Sequence, residues 1–163
     1  MEIELKDHYL KLAGKIQVGD FIEIKKTLKE FDRSKILEIF LQTQGGVLVE
    51  ALNIGLFLDD FNTMIHPYEK VHSAGVLILM VGKQRPGNLL QTNPTFLFHI
   101  PTNIETKNKV DDGYISNYAG VMSYYLKISE DEIAQLLKEE KKISVQKAKE
   151  IGLVDSNEVD FNR

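Results

Sequence analysis

The sequence predicts an α/β fold: repeated β-α-β units building a mostly parallel sheet flanked by helices. Two apolar runs of strand length, residues 36–41 and 95–100, have the composition of strands covered on both faces. Stretches of helical periodicity lie between them, at 47–61 and over the apolar segment 73–82. Strands alternating with helices in this way are joined by right-handed crossovers and pair in parallel.

The elements follow in order. Residues 8–13 (His-Tyr-Leu-Lys-Leu-Ala) alternate polar and apolar, which is the period of a strand, and Gly14 ends it. Gly19-Asp20 opens a helix that gathers Phe21, Ile22, Ile24, Leu28 and Phe31 roughly on one face. Strand 36–41 is broken by Thr43-Gln44-Gly45-Gly46, and helix 47–61 follows. Short strands are expected at 63–66 and 69–72, on either side of Pro67. The run from Ser73 to Gly82 reads as a helix buried all round; a bilayer span would need about 20 apolar residues. After a Gly/Pro/Asn-rich loop over 82–94, strand 95–100 is stopped by Pro101. Helices are expected near 112–127, 130–140 and 144–151, with a last short strand at Leu153-Val154. No repeat, low-complexity tract or linker divides residues 1–163, so a single domain is expected.

Composition removes several functions. With 43% hydrophobic and 27% charged residues the chain is an ordinary globular one. Its 20 basic and 24 acidic residues leave a net charge of −4, without the basic footprint of a nucleic-acid binder. The absence of cysteine excludes disulfides, thiolate metal sites and a cysteine nucleophile. His8, His66, His72 and His99 form neither His-x-x-x-His nor His-Glu-x-x-His, so no metal is expected. The first residues are charged and lack the apolar centre of a signal peptide, which makes the cytoplasm the expected compartment and a membrane partner unexpected.

Three segments at the ends of strands carry chemistry. Ser73 heads the buried helix, where a hydroxyl is either an N-cap or a nucleophile. Gly45-Gly46 reads as a tight turn, or as backbone that approaches a substrate closely enough to donate N–H to an oxyanion. A phosphate cradle fits poorly, because neither glycine-rich nucleotide motif is present. His99 ends a strand, with Phe96 and Phe98 on one face and Leu97 and His99 on the other. As a base it needs a hydroxyl within hydrogen-bond reach. His72 precedes Ser73 directly and points elsewhere, so it ranks behind His99.

Together and in this order the segments resemble the Clp-type serine peptidases, the proteolytic subunits of ATP-dependent Clp proteases, within the ClpP/crotonase fold. The family's Ser-Pro-Gly-Gly corresponds to Thr43-Gln44-Gly45-Gly46, and its Ala-Ser-Met-Gly-Ala to His72-Ser73-Ala74-Gly75-Val76. Its Met-Ile-His-Gln-Pro corresponds to Leu97-Phe98-His99-Ile100-Pro101. Its segment Phe-x-Ser-Ala-x-Glu-Ala-x-Glu-Tyr-Gly-Leu-Ile-Asp matches Ile143-Ser144, Ala148, Glu150 and Ile151-Gly152-Leu153-Val154-Asp155. The resemblance spans residues 8–156, and the last segment is its most specific part.

The resemblance implies Ser73 as nucleophile, His99 as base, and the Gly46 and Ala74 N–H groups as oxyanion hole. Where the family has an aspartate, counting back from Ile143 reaches Glu140, within Lys138-Glu139-Glu140-Lys141-Lys142, where a solvated helix end is an equal reading. Asp111 and Asp112 rank behind it. Lys70-Val71-His72 replaces the family's Gln-Ala-Ala. The family's partners would be a peptide or unfolded-protein substrate, further copies in a homo-oligomeric ring, and an AAA+ unfoldase. Only residues 1–7 precede the first expected strand, which argues against the unfoldase. The ring-stacking handle would survive in 112–128, as an aromatic-rich face of Tyr114, Tyr118, Val121, Met122, Tyr124, Tyr125 and Leu126. No organic cofactor is implied. Rival readings are an inactive assembly subunit on the same fold, a crotonase-type acyl-CoA enzyme, and a serine–lysine dyad using Lys70 or Lys83.

Overall fold

The computed structural model describes residues 1–82, 93–102 and 108–154. Its elements are β1 (Glu2–Lys6), β2 (Tyr9–Ala13), α1 (Asp20–Thr27), β3 (Ile36–Thr43), α2 (Leu48–Asp59) and β4 (Asn62–His72), then α3 (Gly75–Val81), β5 (Thr95–Leu97), α4 (Asp112–Ser123), α5 (Glu130–Glu139), β6 (Lys142–Ile143) and α6 (Val145–Glu150). One six-stranded sheet runs in the order β1-β2-β3-β4-β5-β6. Strands β2 to β5 pair in parallel, and antiparallel β1 and β6 close the two edges. The mostly parallel α/β sheet expected from the sequence is the one observed.

Alternation along β3 sends Leu37, Ile39 and Leu41 to one face, all fully buried. They pack in a single core with Ala51, Ile54 and Leu58 of α2 and with α3, whose seven residues are all buried. Burying each Leu or Ile is worth about 1.5–3 kcal/mol, so this layer holds the ends of β3 and β4 level with each other. No helix among the described residues is long and apolar enough to cross a membrane.

The observed elements depart from expectation where strands are short, charged or bent. Residues Glu2–Lys6 form an edge strand whose Ile3 and Leu5 are half-buried while the charged positions point outward. The two strands expected beside Pro67 are one strand, β4. Leu41 pairs with Pro67 and Thr43 with Val71, so the chain bulges over residues 68–70, with Glu69 at φ 51°. The bulge accommodates a proline that has no N–H for the ladder. β5 is shorter than expected, and His99 lies beyond its end. The unexpected β6 pairs with β5, whereas Leu153-Val154 forms a bend and no strand. Met122 and Leu126 belong to the core, so only part of the expected aromatic-rich face is free.

The turn after β3 is braced by the chain beyond β2. Ile16 N–H donates to Gly45 O at 2.9 Å, and Val47 N–H donates to Ile16 O at 3.1 Å. A Cβ on Gly46 would lie 2.0 Å from the Ile16 carbonyl oxygen, whereas one on Gly14, also at positive φ, would meet nothing. Gly46→Ala should therefore cost roughly 3 kcal/mol or more, and Gly14→Ala about 1–2 kcal/mol of conformational strain alone. Denaturant midpoints measure both; equal shifts would contradict this packing.

Candidate active site

Three chain crossings meet at the carboxyl edge of the parallel strands, where α/β sheets bind ligands. The first is the Gly45-Gly46 turn after β3. Gly45 is buried, and its N–H donates to Thr43 Oγ1 at 3.0 Å. The pairing with Ile16 uses the Gly45 carbonyl and the Val47 N–H. The Gly46 N–H takes no hydrogen bond among the described residues, and Gly46 is exposed to the pocket.

The second crossing is the junction of β4 and α3. Ser73 is not an N-cap: α3 begins at Gly75 with Ala74 as its cap residue, and no side chain caps it. Ser73 instead sits in the left-handed region at φ 53°. Its N–H donates to Leu97 O at 2.7 Å, and its carbonyl accepts from Val76 N–H at 3.0 Å. Such a residue costs about 1–3 kcal/mol of strain, held here by the buried helix behind it. A Cβ on Gly45 would come within 2.6 Å of Ser73 Cβ and 3.1 Å of its Oγ, so only glycine lets the turn lie against the serine. The Ala74 N–H, like that of Gly46, has no partner among the described residues.

The third crossing is the chain leaving β5. Phe96 and Phe98 are buried, and His99 is half-exposed on the opposite side. Ser73, Ala74, Gly46 and His99 all line one pocket of about 630 Å³. Val47, Leu48 and Val110 give it apolar walls, Tyr114 and Tyr118 reach it from α4, and Lys15 reaches it from beyond β2. Burial pushes the Tyr118 phenol far above its ordinary pKa, with Tyr114 adding to the effect.

Glu140 follows α5 as its C-cap residue, in the left-handed region at φ 49°. His99 Nε2 lies 3.5 Å from Glu140 Oε1, and Lys109 Nζ lies 2.9 Å from the same oxygen. The Lys109 contact, aided by His99 and the Ile100 N–H, lowers the Glu140 pKa against the opposing effect of desolvation. No hydrogen bond joins Ser73 Oγ to His99 in this state; the two share a pocket wall and stop short of proton-transfer contact.

The remaining candidates are engaged elsewhere. His72 Nε2 is 3.0 Å from Thr95 Oγ1, and burial, then Lys142 and Lys70, lowers its pKa. It does not line the pocket, and neither does Lys70. Asp111 caps α4 by accepting from Tyr114 N–H at 2.8 Å, and Asp112 pairs with Lys138. Lys83 and Asp155 lie outside the described residues. Lys109, which sequence reasoning did not single out, pairs with the Glu140 carboxylate; a lysine in a polar loop carries no periodic or motif signal. No group of three or more potential metal ligands occurs among the described residues.

The six-stranded sheet, its flanking helices and the pocket at the strand ends define a ClpP-like α/β fold. The ClpP protease catalytic domain from Plasmodium falciparum matches with a TM-score of 0.70 at 18% identity, over 91% of this chain and 83% of that one. ClpP1 from Listeria monocytogenes matches with a TM-score of 0.72 at 16% identity, over 91% of this chain and 89% of that one. At these identities the likeness is one of fold. No family model and no curated protein matches the chain.

Because the Glu140 carboxyl is held below its ordinary range, its contacts stabilise the fold above the unfolded carboxyl pKa, and this increment is lost as pH falls through the lower folded value. Glu140→Gln should lower the thermal midpoint at pH 7 and match the parent once the Glu140 carboxyl is protonated in both the folded and the unfolded state. A midpoint difference that persists unchanged to the acid end would contradict the assignment.

Proposed function

We propose that this chain is a serine peptidase of the Clp-protease type, one domain that hydrolyses peptide bonds in the cytoplasm. The observation that carries the reading is the meeting of Ser73, His99 and two unspent backbone N–H groups at one pocket, with a carboxylate behind the histidine. Ser73 Oγ attacks the peptide carbonyl while His99 takes its proton, since a serine hydroxyl is a poor nucleophile until a base removes it. Glu140 beside Nε2 favours the tautomer protonated there, leaving Nδ1 as proton acceptor, and it stabilises the imidazolium that forms. The Gly46 and Ala74 N–H groups hold the tetrahedral oxyanion, each donor worth roughly 2.7–4 kcal/mol of barrier. A side-chain rotation of His99 or Ser73 closes the remaining gap before reaction. The apolar walls suit a peptide side chain, and the mechanism calls for no metal or organic cofactor.

The reading includes self-association into a ring and does not require an AAA+ unfoldase. On α4 and the turn after it, Tyr114, Val121, Tyr124 and Tyr125 remain exposed, Tyr124 at 85%. Aromatic and apolar groups of this kind mark contact surfaces. One rival keeps a specific observation in its favour. The absence of a Ser73–His99 hydrogen bond suits an inactive assembly subunit on the same fold.

A fluorophosphonate probe separates the two. Labelling of the wild type that disappears in Ser73→Ala supports the peptidase; an unlabelled wild type supports the inactive subunit. His99→Ala should lower kcat/KM for a fluorogenic peptide by at least about 10³-fold. Retained activity in that variant would point instead to a lysine base. Val121→Asp with Tyr124→Asp should reduce the sedimentation coefficient if the α4 face joins copies, and an unchanged value would remove that face from the assembly.

A further inference from the structure

Lys109 stands where it can govern the His99–Glu140 pair. Its ammonium lies 2.9 Å from Glu140 Oε1, the oxygen that is 3.5 Å from His99 Nε2. Its backbone is held as well. Lys109 forms an antiparallel bridge with Thr102, and the neighbouring Val110 N–H donates to Pro101 O at 3.1 Å. Pro101 and Thr102 follow His99 almost directly in the chain, so histidine and lysine share one short backbone frame. The Ile100 N–H belongs to the same frame and adds to the lowering of the Glu140 pKa. A glutamate side chain has three torsions, and without such anchors its carboxylate would sample positions away from the imidazole.

We propose that Lys109 is a positioning residue for the His99–Glu140 pair, fixing the carboxylate against the imidazole while taking up part of its charge. The proposal rests on the peptidase reading for its catalytic consequence, although the contact itself is independent of it. Glu140 Oε1, from the end of α5, lies 3.5 Å from His99 Nε2 and 2.9 Å from Lys109 Nζ of the bridged segment. The other titratable groups that line the same pocket as His99 are Lys15, from beyond β2, and the Tyr114 and Tyr118 phenols of α4.

The test compares Lys109→Met, which keeps length and removes charge, with Lys109→Arg, which restores a cation. Lys109→Gln is a second neutral variant should the methionine fold poorly. In the neutral variants kcat should fall by about 5- to 100-fold with KM little changed, because misplacing a catalytic group by about 1 Å costs up to about 10²-fold. Lys109→Arg should restore kcat. A neutral variant with wild-type kcat, or an arginine variant that does not restore it, would overturn the proposal.

A readout that needs no turnover accompanies these. Ring ¹⁵N shifts of His99 report its tautomer ratio near neutral pH, with Glu140→Gln as the reference for a lost partner. The ratio should move toward that of Glu140→Gln in Lys109→Met and remain that of the wild type in Lys109→Arg. An unmoved ratio in Lys109→Met overturns the positioning role, whereas absent probe labelling of wild-type Ser73 overturns only the peptidase reading.

Discussion

The candidate site depends on one close approach of backbone to backbone. The Gly45-Gly46 turn is clamped to Ile16 on one side and lies against Ser73 on the other, at distances that no Cβ would tolerate. Because β3 and β4 are parallel neighbours, their carboxyl ends reach the same edge of the sheet, and the turns that follow stand side by side. The Ser73 hydroxyl and the Gly46 and Ala74 N–H groups therefore share a pocket without any side chain having to reach across it. A wider turn after β3 would open this edge even with every strand intact.

Rigidity and charge are divided between different parts of the molecule. The apolar layer of β3, α2 and α3 is close-packed and supplies the stability that holds Ser73 at a positive φ. The His99–Glu140–Lys109 cluster lies on the partly solvated side, where ion pairs add little to stability. What it supplies in the proposed mechanism is direction: a carboxylate held beside one nitrogen of His99 favours the tautomer protonated there. The fold thus separates the close-packed layer that holds the serine from the partly solvated side that carries the charged groups.

How much was legible follows the strength of each local signal. β3 and α3 were plain, because runs such as Ile-Leu-Glu-Ile-Phe-Leu and Val-Leu-Ile-Leu-Met-Val leave few alternatives to burial. β1 and β6 were missed. The first is a charged edge strand and the second has two residues, so neither offers more than a fragment of period-2 pattern. Pro67 seemed to split a strand that in fact bulges past it, and a bulge becomes visible only once the neighbouring ladder is known. In the site, Ser73, His99 and the glycine turn were picked out by order along the chain. Glu140 came only from counting back along it, and Lys109 was not found.

By itself the sequence determined the α/β class, the order of its main elements and the short list of groups able to do nucleophilic chemistry. These follow from periodicity and residue type, which are properties of the chain taken one stretch at a time. Only the tertiary structure decided that Ser73 turns through a left-handed conformation, that Lys109 and Glu140 meet beside His99, and that serine and histidine share a pocket without a hydrogen bond between them. Such meetings join residues far apart in sequence through angles set by packing and loop closure, and no local pattern records those angles.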